Sequence, residues 1–265
     1  MVLALVLATL AGLATSIGGL MATHKKVRER KWLAVSLAFA AGAMLMVSFA
    51  EMLPVGVESL AATMDHRTAQ IWAYVAFFGG VALVLIIDRL LPKSLNPSEV
   101  EGREDKLSKS EKVNNRRLIR SGLLVALVLA LHNFPEGMST FIATYQDPAL
   151  GLTLAFAIAI HNIPEGIAVA APIYAATKSR KKAFWWSTIS GLTEPLGALV
   201  ALALISTVLP ESLFGILYGL VAGMMVFVAI DEMLPAARRY MTNTHQIVYG
   251  TIAGMVIVSL SLVML

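Results

Sequence analysis

His132-Asn133-Phe134-Pro135-Glu136-Gly137 and His161-Asn162-Ile163-Pro164-Glu165-Gly166 are one hexapeptide written twice with a single change, 29 residues apart. Each copy sits at the centre of a long apolar run, at about 119–145 and 149–176. Runs of that length match the roughly 20 residues a bilayer-spanning helix needs. The connection Tyr145-Gln146-Asp147-Pro148 is short, so the two helices are antiparallel neighbours. Within each copy His and Glu are four residues apart and share one helix face. Asn lies about 100° round from His. Pro135 and Pro164 lack an N–H, which frees the carbonyls of Leu131 and Ile160. In lipid those oxygens need another partner. The glycine that follows allows close helix approach.

Outward from the motif, six more apolar stretches complete an all-α integral membrane protein with eight transmembrane helices, the others near 1–22, 32–57, 70–91, 183–208, 212–235 and 246–265. Composition agrees: 57% of residues are apolar and 14% charged, against about 25% charged in ordinary soluble domains. The first stretch has no basic n-region and no clear small-residue cleavage site, so it is expected to remain as the first helix. There is no cysteine, which excludes disulfides and thiolate metal sites.

Basic residues set the orientation. Twenty of the 21 lysines and arginines fall after helices 1, 3, 5 and 7, and Arg67 alone lies on the other side. Cytoplasmic loops attract positive charge, so both termini are expected on the periplasmic or extracellular side of a bacterial inner membrane. The same distribution accounts for a net charge of +4 without nucleic acid as a partner. The whole of 1–265 reads as a single transmembrane domain. Its one long polar interruption, 92–117, is expected to be a mobile cytoplasmic loop between helices 3 and 4.

The chain also repeats itself. Gly12, Leu13, Gly18, Leu20 and Ala22 of helix 1 match Gly191, Leu192, Gly197, Leu199 and Ala201 of helix 6 without gaps. Ala41-Gly42-Ala43-Met44 with Glu51-Met52-Leu53-Pro54 in helix 2 matches Ala222-Gly223-Met224-Met225 with Glu232-Met233-Leu234-Pro235 in helix 7, at equal spacing. The paired helices run in opposite directions, so helices 1–3 and 6–8 form an inverted repeat around helices 4 and 5. Secondary transporters are commonly built this way, with substrate at the midplane where the repeats meet.

Helix 6 adds Glu194 at the same depth as the two motifs. Three carboxylates near the centre of a bilayer are costly, and a divalent cation would compensate them. Two imidazoles, two carboxamides and three carboxylates suit Zn²⁺, Fe²⁺, Mn²⁺, Co²⁺ or Cd²⁺. Seven donors exceed the four of an ordinary zinc site; two adjacent metals bridged by Glu136 and Glu165 would use them better. Glu51 near the outer end of helix 2, and Asp231 with Glu232 near the inner end of helix 7, are expected as carboxylates at the way in and the way out.

The paired motif, together with Ser190-Gly191-x-x-Glu194-Pro195-x-Gly197, resembles the Zrt/Irt-like (ZIP) family of metal transporters, in its bacterial branch, over essentially the whole chain. That resemblance implies a 3 + 2 + 3 helix arrangement, outside termini and uptake of metal into the cytosol. It also implies a binuclear midplane site whose ligands would be His132, Asn133, Glu136, His161, Asn162, Glu165 and Glu194. The loop after helix 3 lacks the histidines many members carry there. The metal is transported and no cofactor is implied. A homodimer is compatible with the sequence and not required by it. The alternative reading is an intramembrane metal-dependent enzyme, but neither the i, i+4 histidine pair of zinc proteases nor the Glu-x-x-His of di-iron bundles is present.

Overall fold

The computed structural model describes residues 1–90, 111–205 and 211–264. These form eight helical rods, and no strand occurs among the described residues. They are α1 (Val2–Met21), α2 (Arg30–Ala61), α3 (His66–Leu90), α4 (Glu111–Gln146), α5 (Pro148–Thr177), α6 (Arg180–Ile205), α7 (Glu211–Val228 continuing through Ala229–Met233 and Leu234–Tyr240) and α8 (His245–Met264). Seven of them are long and apolar enough to cross a membrane; α4, which opens on a polar stretch, is the eighth. Of the expected loop 92–117, residues 92–110 lie outside the described residues, and 111–117 already belong to α4.

Three local features follow from particular residues. The α4–α5 corner is a single residue, Asp147, whose side chain accepts from Ala149 N–H at 2.8 Å and caps a helix that opens on Pro148, the residue type favoured at a first helical position. The α5–α6 corner is equally tight: Lys178 takes φ 54° and donates its N–H to Tyr174 O at 2.8 Å, and Ser179 caps α6. Last, α6 is discontinuous. It breaks at Leu192 into Arg180–Gly191 and Thr193–Ile205, which puts Glu194 in the first turn of a new half-helix. A carboxylate is favoured at that end of the helix dipole.

The inverted repeat is visible in the packing. α1 lies along α5 and α6 along α4; α2 lies on α8 and α7 on α3. One pseudo-twofold axis therefore exchanges α1 with α6, α2 with α7, α3 with α8, and the two motif helices with each other. Backbone contacts repeat residue for residue. Gly18 sits against the carbonyl of Ile163, and its mate Gly197 sits against the carbonyl of Phe134. Gly137 presses on the backbone of Glu194, and Gly166 on the carbonyl of Thr15, the residue that pairs with Glu194 in the repeat. Both α2 and α7 also unwind into a π turn at the same place, Ser48–Met52 and Ala229–Met233, each followed by Leu-Pro. Proline removes the N–H that the preceding turn would use, and a π turn is a local way of absorbing that loss.

These contacts make a discriminating test. A methyl group at residue 18 or 197 would meet backbone that cannot move aside, whereas Gly79 has open space around it. Gly18→Ala and Gly197→Ala are each expected to cost roughly 1–3 kcal/mol by overpacking, read as a lowered melting temperature in detergent. Gly79→Ala is expected to leave it unchanged or higher.

Candidate metal centre

The two motifs and the α6 break meet at the centre of the bundle. Asn133, Glu136, His161, Asn162, Glu165 and Glu194 are all 0% exposed. Lipid-depth protein offers such groups no water, so each must be satisfied by a neighbour. The partners come from other helices. His161 Nε2 on α5 lies 3.0 Å from Glu136 Oε1 on α4. Asn162 donates its Nδ2 to Glu194 Oε1 on α6 and, at 2.9 Å, to the carbonyl of Ala11 on α1. With its amide nitrogen facing α5, Asn133 donates to Glu165 Oε2 at 3.2 Å and to Leu129 O at 2.9 Å. Six of the seven residues expected at the midplane are thus brought together; the side chain of His132 lies outside the described residues.

These bonds leave acceptors over. His161 Nδ1, Asn162 Oδ1 and Glu194 Oε2 are buried with no hydrogen-bond partner among the described residues. Buried polar atoms in that condition are uncommon and call for an explanation. Imidazole nitrogen, amide oxygen and carboxylate oxygen are the donor types a borderline divalent cation takes. Among the described residues no three His, Asp or Glu side chains close on a single point. Glu136 and Glu194 each spend an oxygen on the motif's own N–H donors, and a cation would have to exchange those bonds for its own.

Glu51, Asp231 and Glu232 are not part of this cluster. They occupy the two π turns, Glu51 and Asp231 half-buried and Glu232 8% exposed. The expectation that Glu51 and Glu232 sit near helix ends needs correcting. α2 runs on to Ala61 and α7 to Tyr240, which places both carboxylates about two to three turns inside. Both helices run on past their prolines, Pro54 and Pro235, and end farther along the chain than hydropathy indicated.

Two contributions went unread in the sequence. Ala11 acts through its carbonyl, which carries no sequence signature at all. Thr140 is fully buried on α4, one turn beyond Glu136, with its hydroxyl unpartnered among the described residues; its spacing of four from Glu136 was the available signal.

The pattern characteristic of the ZIP Zinc transporter family matches this chain over residues 1–115 and 92–262. Among similar proteins, a zinc transporter ZupT of Corynebacterium aurimucosum is 46% identical over 258 residues, covering 97% of this chain and 94% of its own. One from Oceanobacillus iheyensis is 46% identical over 265 residues, covering 100% and 98%. One from Streptococcus mutans is 44% identical over 261 residues, covering 98% and 97%.

The hydrogen-bond scheme predicts opposite outcomes for its two ends. Asn162→Ala strips Glu194 Oε1 of a donor, and a bond to a carboxylate contributes roughly 1.5–3 kcal/mol, so the melting temperature in detergent should fall. Glu194→Gln keeps an acceptor for Asn162 and buries an amide in place of a carboxylate, which costs less. Its melting temperature should be unchanged or higher.

Proposed function

The chain belongs to the ZIP zinc transporter family, and from that premise we propose that it is a secondary, non-ATP-driven importer carrying divalent transition-metal ions, zinc foremost, into the cytoplasm. It is a multi-pass membrane protein and not an enzyme; the metal-dependent enzyme reading finds no support in the family. The observation that carries the transport reading is the cluster of six buried polar side chains with unspent acceptors on His161, Asn162 and Glu194. A resident polar network would satisfy itself. A way-station for a passing cation must keep donors available and hold them by bonds weak enough to exchange.

In this reading His132, Asn133, Glu136, His161, Asn162, Glu165 and Glu194 ligate the metal, and Glu136 and Glu165 bridge two adjacent ions. Fe²⁺, Mn²⁺, Co²⁺ and Cd²⁺ compete with Zn²⁺ because the same N/O donors serve them all. The protein sits in the bacterial inner membrane with both termini periplasmic, as the one-sided placement of lysine and arginine argues. Metal arrives past Glu51, loses water at the midplane, and leaves past Asp231 and Glu232. The four helices that carry the site, α1, α4, α5 and α6, shift against α2, α3, α7 and α8 between the two sides. The polar segment 92–117 tethers α3 to α4 in the cytoplasm. Outward-facing apolar side chains such as Phe78 on α3 and Ile252 on α8 meet the lipid bilayer, and such faces also allow pairing of two copies as a homodimer.

The decisive experiment is ⁶⁵Zn²⁺ uptake into proteoliposomes under an inward metal gradient. Wild-type protein is expected to accumulate zinc. Glu136→Ala, folded to the same melting temperature, is expected to lose roughly 100-fold or more of the rate, because even outer-sphere partners of a metal account for roughly 10- to 100-fold in affinity. Correctly folded wild-type protein that moves no metal would overturn the reading. Competition by Fe²⁺, Mn²⁺, Co²⁺ and Cd²⁺ then ranks the cargoes.

A further inference from the structure

Tyr218 is among the largest side chains that are fully buried, at 2% exposed, and the transport reading gives it no task. It lies on the first half of α7. Its hydroxyl meets Gln146 Oε1 at 3.3 Å, at the exposed last residue of α4. The Tyr218 ring also forms one wall of a cavity of about 260 Å³ between α3, α4 and α7, facing Phe134, Pro135 and Ser139 on the first motif helix. One side chain therefore reaches from α7, which packs on α2 and α3, to both ends of the outer half of α4.

The inverted repeat supplies the comparison. Under the register that pairs Glu51 with Glu232, the counterpart of Tyr218 is Leu37, which has no hydrogen-bonding group. The α2–α7 crossing differs in the same sense. On the Tyr218 side Gly56 and Gly215 lie against each other's backbone, and a methyl group on Gly56 would also meet the Tyr218 side chain. At the matching crossing on the other side stand Ala34 and Ala237. The Tyr218 side thus has glycines at the crossing where the other side has alanines, and a hydrogen-bonding ring where the other side has Leu37.

We propose that Tyr218 is a positioning residue for transport: by bonding Gln146 it holds α7 against the α4–α5 corner and keeps the Glu51 side of the metal path closed. The inference rests on the transport reading for its purpose and on the geometry of α4 and α7 for its content.

The chain has no cysteine, so a single reporter is clean. Ser139 is 2% exposed and lines the cavity beneath Tyr218. In proteoliposomes, Ser139→Cys is labelled with a membrane-impermeant maleimide applied from the Glu51 side or from the opposite side, with no metal present. Adding Tyr218→Phe is expected to raise labelling from the Glu51 side by about two- to tenfold, the population shift one neutral hydrogen bond supports. Labelling from the opposite side should not rise. Gln146→Ala, at an exposed position that tolerates change, breaks the same bond from its other end and should give the same one-sided increase, and the double variant no more than either. Unchanged labelling, or an equal rise on both sides with a lowered melting temperature, would overturn the proposal and leave Tyr218 as packing. Because labelling needs no zinc flux, failure of the latch and failure of the transport reading are separately visible.

Discussion

Three carboxylates held where no water can reach them are the constraint on which the rest of this molecule depends. An exposed carboxylate is satisfied by solvent; a fully buried one must be given donors, and in a membrane they can only come from protein. Glu136 takes an imidazole from the facing helix, and Glu194 takes a carboxamide. Each donor stands on a different helix from its acceptor, so the helices cannot slide or rotate without breaking the scheme. The small residues at the crossings serve the same end. Gly18, Gly137, Gly166 and Gly197 let backbones come close enough for side chains as short as asparagine to bridge them.

Most of this was legible because lipid imposes strict rules on sequence. Apolar runs gave the rods, and the doubled hexapeptide gave the buried polar cluster at the centre of the bundle. Hydropathy does not see backbone bookkeeping, and that is where the reading fell short. The break at Leu192, the two π turns and the carbonyl of Ala11 arise from which N–H finds which oxygen, and no side-chain pattern announces them. Pro235 was visible, but it was read as the end of an apolar stretch when α7 continues to Tyr240. The partner of Tyr218 was hidden because Gln146 looks like an ordinary corner residue until α7 is folded against it.

The repeat carries information in its departures as much as in its matches. Where the two halves agree, as at Gly18 with Gly197 or at the two π turns, the agreement reflects packing that both sides need. Where they differ, chemistry has been added to one side. Glu194 stands opposite Thr15, so the centre receives its third carboxylate from α6 alone. Tyr218 stands opposite Leu37. A frame that is symmetric in shape and asymmetric in charge gives its two faces unequal tasks without a second fold.

The crossed packing has a consequence for how the chain is made. α1 rests on α5, and α2 rests on α8, which comes much later in the chain. Throughout synthesis the early helices must therefore wait in the bilayer with their glycine-lined faces covered only by lipid. Neither half can mature alone, and a chain interrupted before α8 has no means of closing the groove along α2. The site forms late, as a property of the finished whole.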